Sequence, residues 1–126
     1  MGFDNVNVIN VKNNVKSLFE QLEELDKDGI VHTIDFTRYY STVANSRLNS
    51  VSRSLLDLML EGEIDYSKFK FYMDMVERVR NRFFSIISIE EDLGLKSNQP
   101  SINRLLSTLE NLNNVIATDF PETAHA

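Results

Sequence analysis

Apolar residues recur at steps of three and four along most of this chain. The longest run of that kind lies in 66–92, where Phe69, Tyr72, Val76, Val79, Phe83 and Ile86 fall on one helical stripe with no Gly or Pro between them. A helix over 66–92 is roughly 40 Å long at about 1.5 Å rise per residue, and it is the element the others are built to cover. Upstream, Val8, Val11, Val15, Leu18, Leu22 and Leu25 keep the same spacing without a miss. Between these two segments, Phe36, Tyr40 and Val43 form one stripe, and Leu48, Val51, Leu55 and Leu58 form another. The two are out of phase by about one residue across the polar stretch Asn45-Ser46-Arg47, which predicts a bend in one long helix or a junction of two. Ile102, Leu105, Leu109, Leu112 and Ile116 make a last stripe.

The punctuation agrees with that reading. Gly29, the Glu61-Gly62-Glu63 turn and Gly94 follow the ends of stripes, where a left-handed residue closes a helix. Asn5, Asn7 and Asn10 are candidate caps for the first helix, Thr33 for the second, Asp65 or Ser67 for the third and Ser101 for the fourth. Residues 95–100 read as a loop, and 1–7 and 118–126 as flexible ends, with Pro121 stopping any continuation. The pattern predicts helices at 8–25, 34–60, 66–92 and 102–117. Four amphipathic helices with short connections form an all-α, antiparallel four-helix bundle in one domain.

Composition narrows the setting. A chain of 126 residues that is 42% hydrophobic and 25% charged has enough apolar side chains for one core and is not disordered in bulk. The absence of cysteine removes disulfides, thiol nucleophiles and Cys-built zinc sites, and fits a reducing, cytoplasmic compartment. No signal peptide is visible, and no apolar run approaches the roughly 18 residues a membrane span needs. Gly2 follows Met1, but Val6 stands where a myristoylation signal has Ser or Thr.

The net charge of −6 disfavours non-specific nucleic-acid binding. It is unevenly spread, with a slightly basic middle between acidic ends. Material for catalysis is sparse. His32 sits in a turn and His125 in the tail, with no Gly-x-Ser-x-Gly motif, no Glu-x-x-His pair and no Gly-rich phosphate loop. Glu23-Glu24 and Glu90-Glu91-Asp92 fall at helix ends and read as solvated surface. The sequence therefore points to a non-enzyme with no catalytic residues, no cofactor and no bound metal.

One segment resembles a calcium-binding EF-hand loop. Glu24, Asp26 and Asp28 stand at its first three ligand positions, Gly29 at the turn, Val31 at the buried hydrophobic and Asp35 at the closing ligand. Around Gly62 and Ile64 the offsets repeat, but Met59 and Lys68 occupy ligand positions. The resemblance spans about a dozen residues each time. It implies a degenerate calcium-binding protein, whereas the residues alone imply two helix-joining turns.

The last constellation is on the 66–92 helix. Arg78, Arg80 and Arg82 lie within five residues of one another, followed by Phe83-Phe84, and Phe71, Met73, Met75, Phe84, Ile87 and Ile89 widen its apolar surface beyond one stripe. Arginine beside exposed aromatics is the composition of a protein interface. The reading is a small acidic adaptor, regulator or assembly subunit that binds a protein partner and forms a homodimer. Its contact residues would be Phe71, Met75, Arg78, Arg80, Arg82 and Phe84, with Arg80 at the interface edge reaching a carboxylate across the contact. The alternative is a nucleic-acid accessory subunit in which Arg47 and Arg53 join the same arginines in a basic patch. Pairing of these arginines with Glu20, Glu23 and Glu24 of the first helix is the intramolecular option.

Overall fold

The computed structural model describes residues 5–94 and 98–121. All the regular structure in them is helical: α1 (Val6–Lys27), α2 (Phe36–Tyr39), α3 (Asn45–Leu60), α4 (Tyr66–Leu93) and α5 (Gln99–Asp119). A 3₁₀ turn, Ile30–His32, follows α1, and a π turn, Tyr40–Ala44, joins α2 to α3 in one continuous rod. There are thus four rods. α1 and α4 each pack on α3 and α5 and face each other across the diagonal.

Cross-links at the ends fix neighbouring rods as antiparallel. Asn5 and Asn7 at the start of α1 donate to Glu61 after α3 (2.9 and 3.2 Å). Lys12 donates to the carbonyl of Phe120 after α5 (2.6 Å), and Gln99 at the start of α5 donates to Asp26 near the end of α1 (3.0 Å). The predicted antiparallel bundle is the observed one.

The core is built from the predicted stripes. Val8, Val11, Val15, Leu18 and Leu22 of α1 are buried against Leu48, Val51, Leu55 and Leu58 of α3, Tyr72, Val76, Val79, Phe83 and Ile86 of α4, and the whole α5 stripe. Phe69 and Leu25 are half-buried at its margins. Sustained three-four spacing gathers each set on one side of its helix, so a single contiguous core forms.

Several local expectations are corrected. Thr33 is not the cap of the second helix; its hydroxyl donates to the Ile30 carbonyl (2.7 Å), and Asp35 caps α2 by accepting from the Arg38 N–H (3.1 Å). Ser101 is buried inside α5, because Asn98 three residues earlier accepts its N–H (2.9 Å) and places Pro100 in the first turn, where its missing donor costs nothing. The tail starts later than 118, since α5 runs to Asp119 and Phe120 packs on the core. Asn5 caps α1 and Asp65 caps α4, both among the expected candidates, and Gly29, Gly62 and Gly94 all have positive φ. The expected flexible start 1–7 and the expected loop 95–100 are also shorter than expected, since α1 begins at Val6 and α5 at Gln99. Residues 1–4, 95–97 and 122–126 lie outside the described residues.

The phase slip has a physical form. The apolar step from Val43 to Leu48 is one residue too long for an α-helix. The π turn absorbs it: the Asn45 N–H reaches back five residues to the Tyr40 carbonyl, and Ala44 takes the buried position while Val43 stays half-buried. The rod is continuous, and its irregularity lies at 40–44, just before the polar stretch that marked it in the sequence.

Candidate interaction surface

The residues expected to form one contact surface on α4 are divided between two sides of that helix. Phe71 lies beside Tyr72 and Lys68, and Arg82 donates to Thr108 of α5 (3.4 Å), so this side faces α5. Arg78 falls on the same helical row as Phe71 and Arg82; it is exposed and has no hydrogen-bond or ion-pair partner among the described residues. Met75 is buried and offers no surface. Phe84 and Arg80 lie on the other side, toward the π turn. The Phe84 ring meets Tyr40 edge-on at 5.1 Å, and Phe83 lies 5.4 Å from the same ring. Phe71 and Phe84 keep 44% and 46% of their surface exposed, but between them α4 presents a polar row, with Lys70, Asp74, Glu77, Asn81, Ser85 and Ser88 all exposed.

Arg80 is the main departure from expectation. Its side chain is only 14% exposed, and its fork is fully engaged within the chain. Nη1 donates to the Tyr40 hydroxyl and to Asn45 Oδ1 (both 2.8 Å), and Nη2 donates to Asn49 Oδ1 (2.7 Å). Its carboxylate partner within the chain is Glu77 of its own helix, 3.3 Å from Nε, and not an acid on α1. The separation of the three arginines also leaves no contiguous basic patch on α4. Arg47 turns toward α1, donating to Asn14 (3.3 Å).

The EF-hand-like turns share their backbone features with that motif and little else. Gly29 and Gly62 take positive φ, and Val31 and Ile64 are buried two residues later. Asp35 is engaged as a helix cap and Asp26 with Gln99. Among the described residues, no group of three or more His, Asp or Glu side chains is placed to hold an ion. His32 is in the turn as expected, with Nδ1 buried and without a hydrogen-bond partner, and His125 lies outside the described residues. No described helix is long and apolar enough to cross a membrane.

Two tyrosines have perturbed acidity. Burial pushes the Tyr39 hydroxyl up to about 12, against the opposing pull of Arg47. Burial also raises Tyr72, reinforced by its hydrogen bond to the Asp119 carboxylate and by that charge. Asp119 is held below the usual aspartate value by the Tyr72 hydroxyl and then by Lys68, 3.0 Å away. This group ties the end of α5 to the start of α4.

A surface not singled out from the sequence lies at the α3–α4 hairpin. Leu60 and Tyr66, on either side of its turn, are 72% and 66% exposed. Leu56, one turn before Leu60, is also exposed, and the same end of the hairpin carries half-buried Met59, Phe69 and Met73. The signal was present as Leu56 and Leu60 off the α3 stripe. Glu61, Glu63 and Asp65 are exposed at the tip, and Lys68 and Lys70 follow in the first turns of α4.

No family model, curated protein or solved structure matches this chain. Its function is therefore argued from its own surfaces.

Proposed function

We propose that this protein is a small, non-enzymatic interaction subunit of the cytoplasm, an adaptor, regulator or assembly component, that self-associates through the end of its α3–α4 hairpin. The observation that carries the reading is the exposure of Leu60, Tyr66 and Leu56 together, beside side chains that already belong to the core. Apolar side chains grouped in this way on a folded surface favour contact with another protein. The occupant proposed is a second copy, on charge grounds. The hairpin is acidic at its tip (Glu61, Glu63, Asp65) and basic one to two turns along α4 (Lys68, Lys70). A two-fold contact sets the tip of each copy against the basic turns of the other, so the patch complements itself. Lys70 is held at home only by Asp74, an exposed i,i+4 pair of little strength, and is free to exchange partners.

Sedimentation equilibrium tests the reading. The wild type is expected to gain mass with concentration, and Leu60→Glu to remain monomeric with an unchanged melting curve at low concentration, because Leu60 is outside the core. A wild type that stays monomeric up to high micromolar concentration sinks the proposal.

A further inference from the structure

A groove of about 420 Å³ runs between α1 and the rod made by the π turn and α3, within the size range of small-ligand sites. Its α3 side is formed by Ser41, Asn45, Ser46, Asn49, Ser50 and Arg53. Arg80 decides what these groups offer. An asparagine amide has an acceptor end and a donor end. The acceptor ends of Asn45 and Asn49 are both committed to the Arg80 fork, at 2.8 and 2.7 Å. The Nδ2 amides are left as the free ends, and neither has a partner among the described residues.

Arg53 lies one helical turn beyond Asn49 on the same row. It is exposed and has no hydrogen-bond or ion-pair partner among the described residues, and the Ser46 and Ser50 hydroxyls likewise donate to none. The stretch from Asn45 to Arg53 is therefore rich in unengaged donors and carries one free positive charge. A second charge, Arg80, sits directly behind the two amides and polarises them. Glu77 is on the Nε side of that guanidinium, away from the asparagines. Asp57, one turn past Arg53, closes the donor-rich stretch with a negative charge.

We propose that this stretch binds a small oxyanion, the carboxylate or phosphate group of a low-molecular-weight ligand. Arg53 takes two of its oxygens through the guanidinium fork. The Nδ2 amides of Asn45 and Asn49 and the Ser46 and Ser50 hydroxyls donate to the remaining lone pairs. Leu56 and Leu60 of the hairpin contact continue the same row of α3 one to two turns beyond Arg53, so the two surfaces adjoin, but none of the proposed oxyanion contacts uses the hairpin side chains.

The test is a two-dimensional amide NMR titration of the full chain with sodium phosphate and, separately, sodium acetate, at ionic strength held constant with chloride. Saturable shifts are expected at backbone amides 45–53 and at the side-chain amides of Asn45 and Asn49. Saturation by phosphate alone, by acetate alone or by both identifies the oxyanion. Arg53→Gln is expected to weaken binding by about tenfold, the loss of one charge-assisted contact. Asn49→Asp is a second variant whose fold is safe, because it gives Arg80 a counter-ion; it is expected to abolish binding by repulsion. Shifts that never saturate, that chloride reproduces, or that Arg53→Gln and Asn49→Asp leave unchanged would overturn the proposal.

Discussion

Replacing Arg80 with Met tests whether this side chain belongs to the fold or to a surface between molecules. The substitution keeps a flexible stem of similar length and removes the charge and the fork. Three neutral acceptors lose a charged donor: the Tyr40 hydroxyl, Asn45 Oδ1 and Asn49 Oδ1. A hydrogen bond to a charged group contributes about 1.5–3 kcal/mol, but the three do not add. Asn49 is exposed, and water replaces Arg80 there at little cost. Asn45 and Tyr40 are half-buried and are rehydrated less well. Against these losses, the variant no longer desolvates a guanidinium whose counter-ion, Glu77, is mostly in solvent. The balance is a loss of about 1–3 kcal/mol. With an unfolding entropy of about 2.1 cal/mol/K per residue, that lowers the Tm of a chain this size by about 4–11 °C. Thermal circular dichroism at two protein concentrations reads it. An intramolecular role gives the same drop at both, whereas a role between subunits gives a drop that depends on concentration. Arg80→Lys should recover only part of the loss, since an ammonium cannot span two asparagine oxygens as a fork does. An unchanged melting curve accompanied by weaker association would refute this account and restore Arg80 to an interface.

Further outcomes follow from the core and from the α5 anchor. Val79 is fully buried midway along α4, so Val79→Asp places an unpaired carboxylate in the core and should destabilise by several kcal/mol, about half or more of the stability of an ordinary domain; a melting curve like the wild type's would contradict that core position. Asp119 has a folded pKa below its unfolded one, so its contribution is present above the ordinary aspartate value and is lost as pH falls through the folded one. Asp119→Asn should therefore cost about 1 kcal/mol at neutral pH, with the gap to wild type closing in more acidic solution, as Tm measured across pH will show.

The fold was legible because the stripes of α1, α4 and α5 each keep three-four spacing over four turns or more, and only a helix gathers such positions onto one face. Helix caps were less legible for a specific reason. Thr33 and Asp35, or Asn98 and Ser101, are equally good capping residues on paper, and the choice depends on which one leaves the chain extended where the next rod must begin. The excess apolar surface of α4 misled in a similar way. Met75 is off the main stripe by only one residue, and whether such a flanking position is covered depends on the width of the neighbouring helix contacts, which the sequence does not state. Arginine was hardest to place. Arg78, Arg80 and Arg82 look alike in the sequence, yet one is free in solvent, one is locked and one leans on α5, because successive odd positions on a helix point about 200° apart.

The phase slip and the locked arginine are one feature. Residues five apart lie about 140° apart around an α-helix, so Tyr40 and Asn45 on a regular helix would face different ways. In a π turn the hydrogen bond runs to the fifth residue, and positions five apart come nearly into line. The extra residue between Val43 and Leu48 therefore does more than correct the phase of the stripe. It brings the Tyr40 hydroxyl within 3.3 Å of Asn45 Oδ1 and sets both on the same guanidinium nitrogen of Arg80. Asn49, one regular turn further on, then meets the other nitrogen. Drawing the same residues into a regular α-helix without the π turn would rotate Tyr40 by about 100° away from Asn45. One irregular turn in α2–α3 thus orients two asparagine amides, and the donor face of the groove beside α1 follows from it.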